Sequence, residues 1–322
     1  MMKCWRRPLI VLGAVLLAGA VRLPLEAALT AELRAAGLLA VPLPIATRDK
    51  IGQTSAAVAL GGLRTLVATF LNLRAYTYFT ETRWDDVAST FDTIVELAPQ
   101  TIYYWQTGAW HQAYNASSYY QNDSDLPPLR RDAAWRAAVL KGRVFLERGI
   151  RNNPGDPKLN TYLGYLLTDH YKARAFRDAD ATFLAAAQAY QLAADAPDAL
   201  PFLRRFQLYA IARVAGRQAE ALALARRLYQ NPGNRTPTLQ CVYFVLEVAA
   251  NPNLMDPQNF AISVFGSPEK AYATLANYWL RTSERLPVHG VANALKALEA
   301  TLAIAADKSV FLQHPVPDAA DE

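Results

Sequence analysis

Residues 63–99, LRTLVATFLNLRAYTYFTETRWDDVASTFDTIVELAP, carry two helices and the turn that joins them. Leu63, Leu66, Val67, Phe70, Leu71, Ala75 and Tyr78 recur at the i, i+3, i+4, i+7 spacing of a helix with one apolar face. Val87, Phe91, Ile94 and Val95 make a second stripe, which Pro99 stops. The turn Thr82-Arg83-Trp84-Asp85 is too short for anything but an antiparallel helix pair. Asp85 and Asp86 fall at the start of the second helix, where carboxylates favour the dipole and satisfy free N–H groups. Their other use would be as a carboxylate pair for acid–base or metal work.

The same grammar continues outward toward the C-terminus. Trp105 to Tyr114 reads as a helix, and an Asn/Asp/Ser/Pro-rich loop covers about 121–128. Trp135, Ala138, Val139, Gly142, Phe145, Leu146 and Gly149 form a nearly unbroken 3.6-residue stripe, ended by Asn153-Pro154-Gly155. Leu159, Tyr162, Leu163, Leu166 and Leu167 mark the next helix. Segments 181–194, 203–214 and 219–229 follow, punctuated by Pro197, Gly216 and Asn231-Pro232. Residues 251–267 read as a long irregular loop. Ser267-Pro268-Glu269 is a helix start, and 271–281 with 291–306 make a last pair that would cap the stack. No stretch sustains a two-residue alternation over β-branched residues, so the fold class is all-α.

Toward the N-terminus the texture changes. Lys3, Arg6 and Arg7 precede an uncharged apolar run over 8–21 that Arg22 closes. That is the pattern of a secretory leader, with Ala18-Gly19-Ala20 as a small-residue cleavage site. The alternative is an uncleaved anchor reaching about Leu25, although the run is shorter than the ~17–25 residues of a membrane span. Either reading leaves the basic end in the cytoplasm and exports the rest. Cys4 precedes the run and so is no lipoprotein acceptor, and two cysteines build no disulfide framework. With 52% hydrophobic and 19% charged residues, the 322-residue chain is neither a disordered tail protein nor a highly charged coiled coil. The formal charge of +5 includes three leader cations, and the remaining +2 is no footprint for nucleic acid.

The helix-ending prolines Pro99, Pro154, Pro197 and Pro232 lie 55, 43 and 35 residues apart, the last close to a 34-residue repeat. Leu71, Ala75, Tyr78, Val87, Phe91, Ile94 and Pro99 resemble a first tetratricopeptide unit. Trp105, Gly108, Ala109, Gly142, Leu146, Gly149 and Pro154 resemble a second, and Leu163-Gly164 with Leu167 open a third. The series Gly61-Gly62-Leu63-Arg64, Leu73-Arg74-Ala75, Arg83-Trp84, Leu97-Ala98-Pro99, Trp105 and Ala109-Trp110 with Ala113-Tyr114-Asn115 resembles a group of bacterial proteins. Members of that group have one N-terminal membrane helix and a tetratricopeptide-like domain. The resemblance implies a right-handed solenoid of about four degenerate helix pairs with a C-terminal capping pair, preceded by the leader or anchor. It also implies a periplasmic domain in the bacterial cell envelope, and it lends no activity. The expected layout is 1–25 leader or anchor, 26–60 connector, 61–235 repeats, 236–310 C-terminal helices and 311–322 flexible tail.

No metalloprotease, hydrolase, phosphate-loop or Cys-x-x-Cys motif is present. Asp123 and Asp125 resemble a fragment of a calcium loop but lack its downstream Glu. His111 and His170 read as core or rim residues on separate helices. No catalytic residue, metal or cofactor is therefore expected. Two surface patches remain as candidate partner-binding sites. The aromatic one centres on Tyr104, Trp110, Tyr119 and Tyr120, with Trp105 read as core. The basic one comprises Arg136, Lys141, Arg143 and Arg148, with one pair on each of two adjacent helix stripes. The expected function is an exported, membrane-tethered scaffold that binds a partner protein's peptide or helix in a solenoid groove, with no chemistry of its own. The alternatives are a glycan- or lipid-binding module built on these two patches and, third, an enzyme. The apolar connector 26–60, with Pro42 and Pro44, could also occupy that groove itself.

Overall fold

A computed structural model describes residues 64–251 and 256–315, together with Pro24, Ala28 and Leu29. The described residues divide into two compact units, which meet in sequence between Tyr104 and Trp105. In the first, α1 (Arg64–Thr80) and α2 (Trp84–Leu97) pack as a hairpin. Helix α2 buries Val87, Phe91, Ile94 and Val95, the stripe visible in the sequence, and with them Trp84, which the sequence reads as part of the turn. Asp85 and Asp86 occupy its first turn, and Asp86 accepts from Arg83 Nε at 2.7 Å. The stripe of α1 behaves differently. Ala68 and Ala75 are buried, while Leu66, Val67 and Phe70 are exposed.

Helix α3 (Ile102–Trp110) leads into a π-helical turn, His111–Ala116, and then α4 (Ser117–Asn122). There follow α5 (Pro128–Asn152), α6 (Pro157–Thr168), α7 (Ala179–Ala194), α8 (Phe202–Ile211) and α9 (Gln218–Gln230). Helices α10 (Pro237–Ala250), α11 (Pro257–Phe265), α12 (Pro268–Thr282) and α13 (Val291–Thr301) complete the order. Within the second unit each helix from α4 onward packs on its neighbour in sequence, as in a helical repeat.

Glycines set the closest approaches. A Cβ on Gly142 of α5 would lie 2.6 Å from Ala113 Cβ, 2.8 Å from Ala113 N and 2.9 Å from Ala109 O. One on Gly149 would meet the Trp105 ring at 3.0 Å, and one on Gly164 of α6 would meet the Tyr190 ring at 2.5 Å. These contacts place backbone against backbone, or backbone against a flat ring, where any side chain would hold the helices apart.

Proline begins helices here as well as ending them. Asp156, Thr236, Asp256 and Ser267 each cap a helix whose first turn contains proline, and each side-chain oxygen accepts from backbone N–H groups one turn on. Residues 257–265 are accordingly helical, where the sequence reads as an irregular loop. Helix α10 shows no one-faced stripe because it is buried nearly all round, through Leu239, Cys241, Val242, Phe244, Val245 and Leu246. Its Glu247 accepts both Nε and Nη2 of Arg226 on α9, each at 2.7 Å. At the C-terminus Trp279 Nε1 donates to His314 O at 2.9 Å and Val310 is buried. The chain is thus docked to His314, three residues past the point where the flexible tail is read.

The expected membrane anchor, and the cell-envelope address that depends on it, are not supported by the structure. Among the described residues no helix is long and apolar enough to cross a membrane. Residues 1–23, on which that expectation rests, and the 30–60 part of the connector lie outside the described residues.

The glycine contacts give a direct test. Gly142→Ala forces its methyl group into the backbone of Ala109 and Ala113, which cannot rotate away. We expect a loss of about 1–3 kcal/mol, read as a lower midpoint in urea or thermal unfolding; a variant as stable as the parent would show that α5 can move aside.

Candidate functional site

The second unit carries a cleft of about 440 Å³, lined by residues from the π turn, α6, α7, α8 and the end of α12. Its walls are mainly rings. Tyr165, Tyr190 and Phe206 form a triangle with centroids 5.6–6.1 Å apart, each pair set edge to face. Gly164 makes this possible, because the absent side chain is the space the Tyr190 ring fills. Tyr209 adds a further ring, and Tyr114 enters from the π turn. Trp110 stacks on Tyr114 with centroids 4.3 Å apart and planes 19° apart.

A second, smaller cavity of about 50 Å³ lies between Gln106, Trp110 and Tyr162. It shares the rings of Tyr114 and Tyr165 with the larger cleft as a common wall. The two cavities thus lie side by side between Trp110 and Tyr209, with the Tyr114 and Tyr165 rings common to both. The phenol groups are mostly turned inward. Tyr190 OH pairs with Thr168 Oγ1 at 3.0 Å, and Tyr209 OH faces Thr236 Oγ1 at 3.4 Å. Burial pushes the phenols of Tyr114 and Tyr190 well up, so both stay neutral, and the groove is lined with ring faces. Gln106 Nε2 is buried with no hydrogen-bond partner among the described residues.

Three charged residues line the larger cleft: Asp169, Arg213 and Arg285. Asp169 Oδ1 accepts from Tyr171 N at 2.8 Å. The Arg213 guanidinium lies over the Phe183 ring, 3.5 Å from its centroid. Burial, with the charge of Arg285 adding to it, pulls Arg213 down to about 10.

Behind the π turn sits a buried cation. Lys172 is 5% exposed, and its Nζ donates to Ser117 Oγ at 2.8 Å and lies 5.3 Å from the Tyr114 ring centroid. Ser117 and Lys172 have the separation of a nucleophile and its base. Ser117 is wholly buried, however, and its hydroxyl donates back to the carbonyls of Ala113 and Tyr114. No substrate reaches it, so the pair serves to hold the π turn and Tyr114 in place.

The sequence-derived candidates are scattered. Tyr104 is buried, and it belongs to the first unit. Tyr119 and Tyr120 meet edge to face at 5.5 Å on α4, away from both cavities, and Trp110 alone of the four lines the groove. The basic residues of α5 are largely engaged within the unit. Arg136 Nε and Nη2 donate to the carbonyls of Ala175 and Arg174. Arg143 pairs with Glu147 at 2.8 Å and lies over Phe176. Arg148 lies over Trp105 and Phe145, and Lys141 is exposed. His111 pairs with Asn115 on the π turn and its imidazole is pulled down by burial, while His170 lies apart beside Tyr171. Asp123 accepts from the backbone N–H of Asp125, an Asx turn. Among the described residues no group of three His, Cys, Asp or Glu side chains could hold a metal ion. Tyr165, Tyr190, Phe206, Tyr209, Arg213 and Arg285 escape sequence reading because they come from three separate helices and from the chain that follows α8 and α12. The one local signal is Gly164, a glycine inside an otherwise good helical stripe.

The buried lysine makes a prediction with a definite sign. Burial lowers Lys172 below its ordinary 10.5, with Arg174 adding to this and Asp169 opposing it. The unfolded chain therefore holds that proton more tightly, and its release favours the folded state. We expect the protein to gain stability relative to Lys172→Met as the pH rises through the window that ends at 10.5. Parallel stability–pH curves from urea unfolding would mean that Lys172 bears no such penalty.

No protein-family model, curated protein or solved structure matches this chain. The tetratricopeptide assignment, and with it membership of a membrane-anchored bacterial group, is therefore not upheld. The observed character, among the described residues, is all-helical with sequential helix-pair packing.

Proposed function

We propose that the second unit is a non-catalytic binding module that takes an extended polypeptide segment in the groove between Trp110 and Tyr209. The observation that carries this reading is the adjacency of two ring-lined cavities, which share Tyr114 and Tyr165. Aromatic faces give large contact area at low entropic cost, the usual anchor for apolar side chains of a bound segment. The buried, partnerless Nε2 of Gln106 supplies a donor suited to a backbone carbonyl. The groove sets the polar groups of Thr168, Asp169, Arg213 and Arg285 beside its rings, a mixture that suits the peptide groups and side chains of a bound segment. Its exposed rings include Tyr162 and Tyr165, each a little over one-third exposed, so a ligand reaches them without unfolding the wall.

This proposal calls for no tether and no reacting residue. Its test is selection of random dodecapeptides on the purified full chain, followed by titration of the enriched sequences. We expect apolar or aromatic peptides to bind, and Tyr165→Ala or Phe206→Ala to weaken them by about tenfold or more with the fold intact by circular dichroism. A glycan-array hit with no peptide enriched, or peptides indifferent to both substitutions, would overturn it.

A further inference from the structure

We infer that Arg213 and Arg285 form an anion seat at one part of the groove and hold a carboxylate of the bound segment; this rests on the groove reading above. Both side chains line the larger cleft together with Phe206 and Tyr209. Among the described residues neither guanidinium has a carboxylate within ion-pair distance. Arg83, Arg143, Arg174, Arg204, Arg217 and Arg226 all have one. Arginine rarely goes half-buried without a counter-ion, because removing its charge from water is costly unless something replaces the lost solvation.

Arg213 is part-buried and held flat against Phe183, so its fork is fixed before any ligand arrives. Arg285 follows the last turn of α12, where its backbone N–H donates to Thr282 O at 2.8 Å. The low position of Arg213 records both its burial and the like charge of Arg285. An anion between them removes that repulsion and gains charge-assisted hydrogen bonds from two planar donors.

The charge count selects the anion. Two arginines and Asp169 leave the cleft with one net positive charge. A carboxylate neutralises it, whereas a phosphate dianion would carry the cleft to net negative. The flanking rings of Phe206 and Tyr209 further require an apolar or aromatic group next to the carboxylate. The ligand class is thus a segment with such a residue adjoining either a chain terminus or an Asp or Glu side chain.

The test uses the full chain and small probes, titrated by NMR: N-acetyltyrosine, N-acetyltyrosinamide, the amide of acetyl-tyrosyl-aspartate, and phenyl phosphate. We expect N-acetyltyrosine to bind about tenfold more tightly than its amide, with the preference shrinking as salt rises and vanishing in Arg285→Gln. Arg285 is exposed, so that variant keeps the fold even if Arg213→Gln does not. Tight binding by N-acetyltyrosine alone identifies a chain terminus, and equal binding by the aspartyl probe extends the seat to side-chain carboxylates. Equal affinity for acid and amide would sink the anion seat while leaving the groove standing. A stronger response to phenyl phosphate would overturn the carboxylate assignment. If no probe binds, the groove reading fails along with it.

Discussion

Much of the second unit depends on the contact between Gly142 and the backbone of Ala109 and Ala113. There the chain of α5 reaches the chain of α3 and the π turn at distances that exclude a methyl group. That approach fixes the segment carrying Trp110 and Tyr114, which form one end of the groove. A π turn is a rare conformation that recurs at functional sites, because it re-aims side chains along an otherwise regular helix. Here Ser117, at its end, ties the carbonyls of Ala113 and Tyr114 to the buried ammonium of Lys172. A destabilised charge and a distorted helix are both retained around one ring that faces the groove.

The distribution of charge divides the arginines by use. On α5 they bind the chain that follows α6. Arg136 donates to the carbonyls of the 3-10 turn at 173–175, Arg174 lies 4.1 Å over the Trp135 ring, and its guanidinium pairs with Asp132. A basic helix face that looks like a docking surface in sequence is in large part internal stitching. Arg213 and Arg285 are different, since two like charges share a cleft with one carboxylate and aromatic walls. Electrostatic frustration of this kind raises no flag locally, because nothing in the neighbourhood of either residue in sequence shows that the other is close.

The helical class, most helix positions and the role of the small residues were legible in the sequence. The stripe from Trp135 to Gly149 is buried as its spacing requires. Proline is ambiguous in a sequence, since it opens helices as well as closing them. Pro257 and Pro237 start helices, and the distinction from a helix stop lies in the capping Asp256 and Thr236 before them. The exposed face of α1, with Leu66 and Phe70, shows the opposite limit: a periodic stripe reports a helix but not what covers it. The repeat period encouraged a family assignment that the comparisons did not uphold. Degenerate small-and-large patterns arise wherever helices pack closely in pairs, whatever their ancestry.

The sequence by itself determined that this chain forms successive helices, where most of them begin and end, and which positions must stay small. Those are consequences of local hydrogen bonding, capping and the 3.6-residue period, each readable within a few turns of chain. Only the tertiary structure decided which aromatics line a groove and which charges are already satisfied. Arg136 reaches a carbonyl 39 residues away and Lys172 a hydroxyl 55 residues away, and the groove draws its rings from the π turn and three later helices. Such contacts depend on how helices stack in three dimensions, and a one-dimensional pattern carries no measure of that distance.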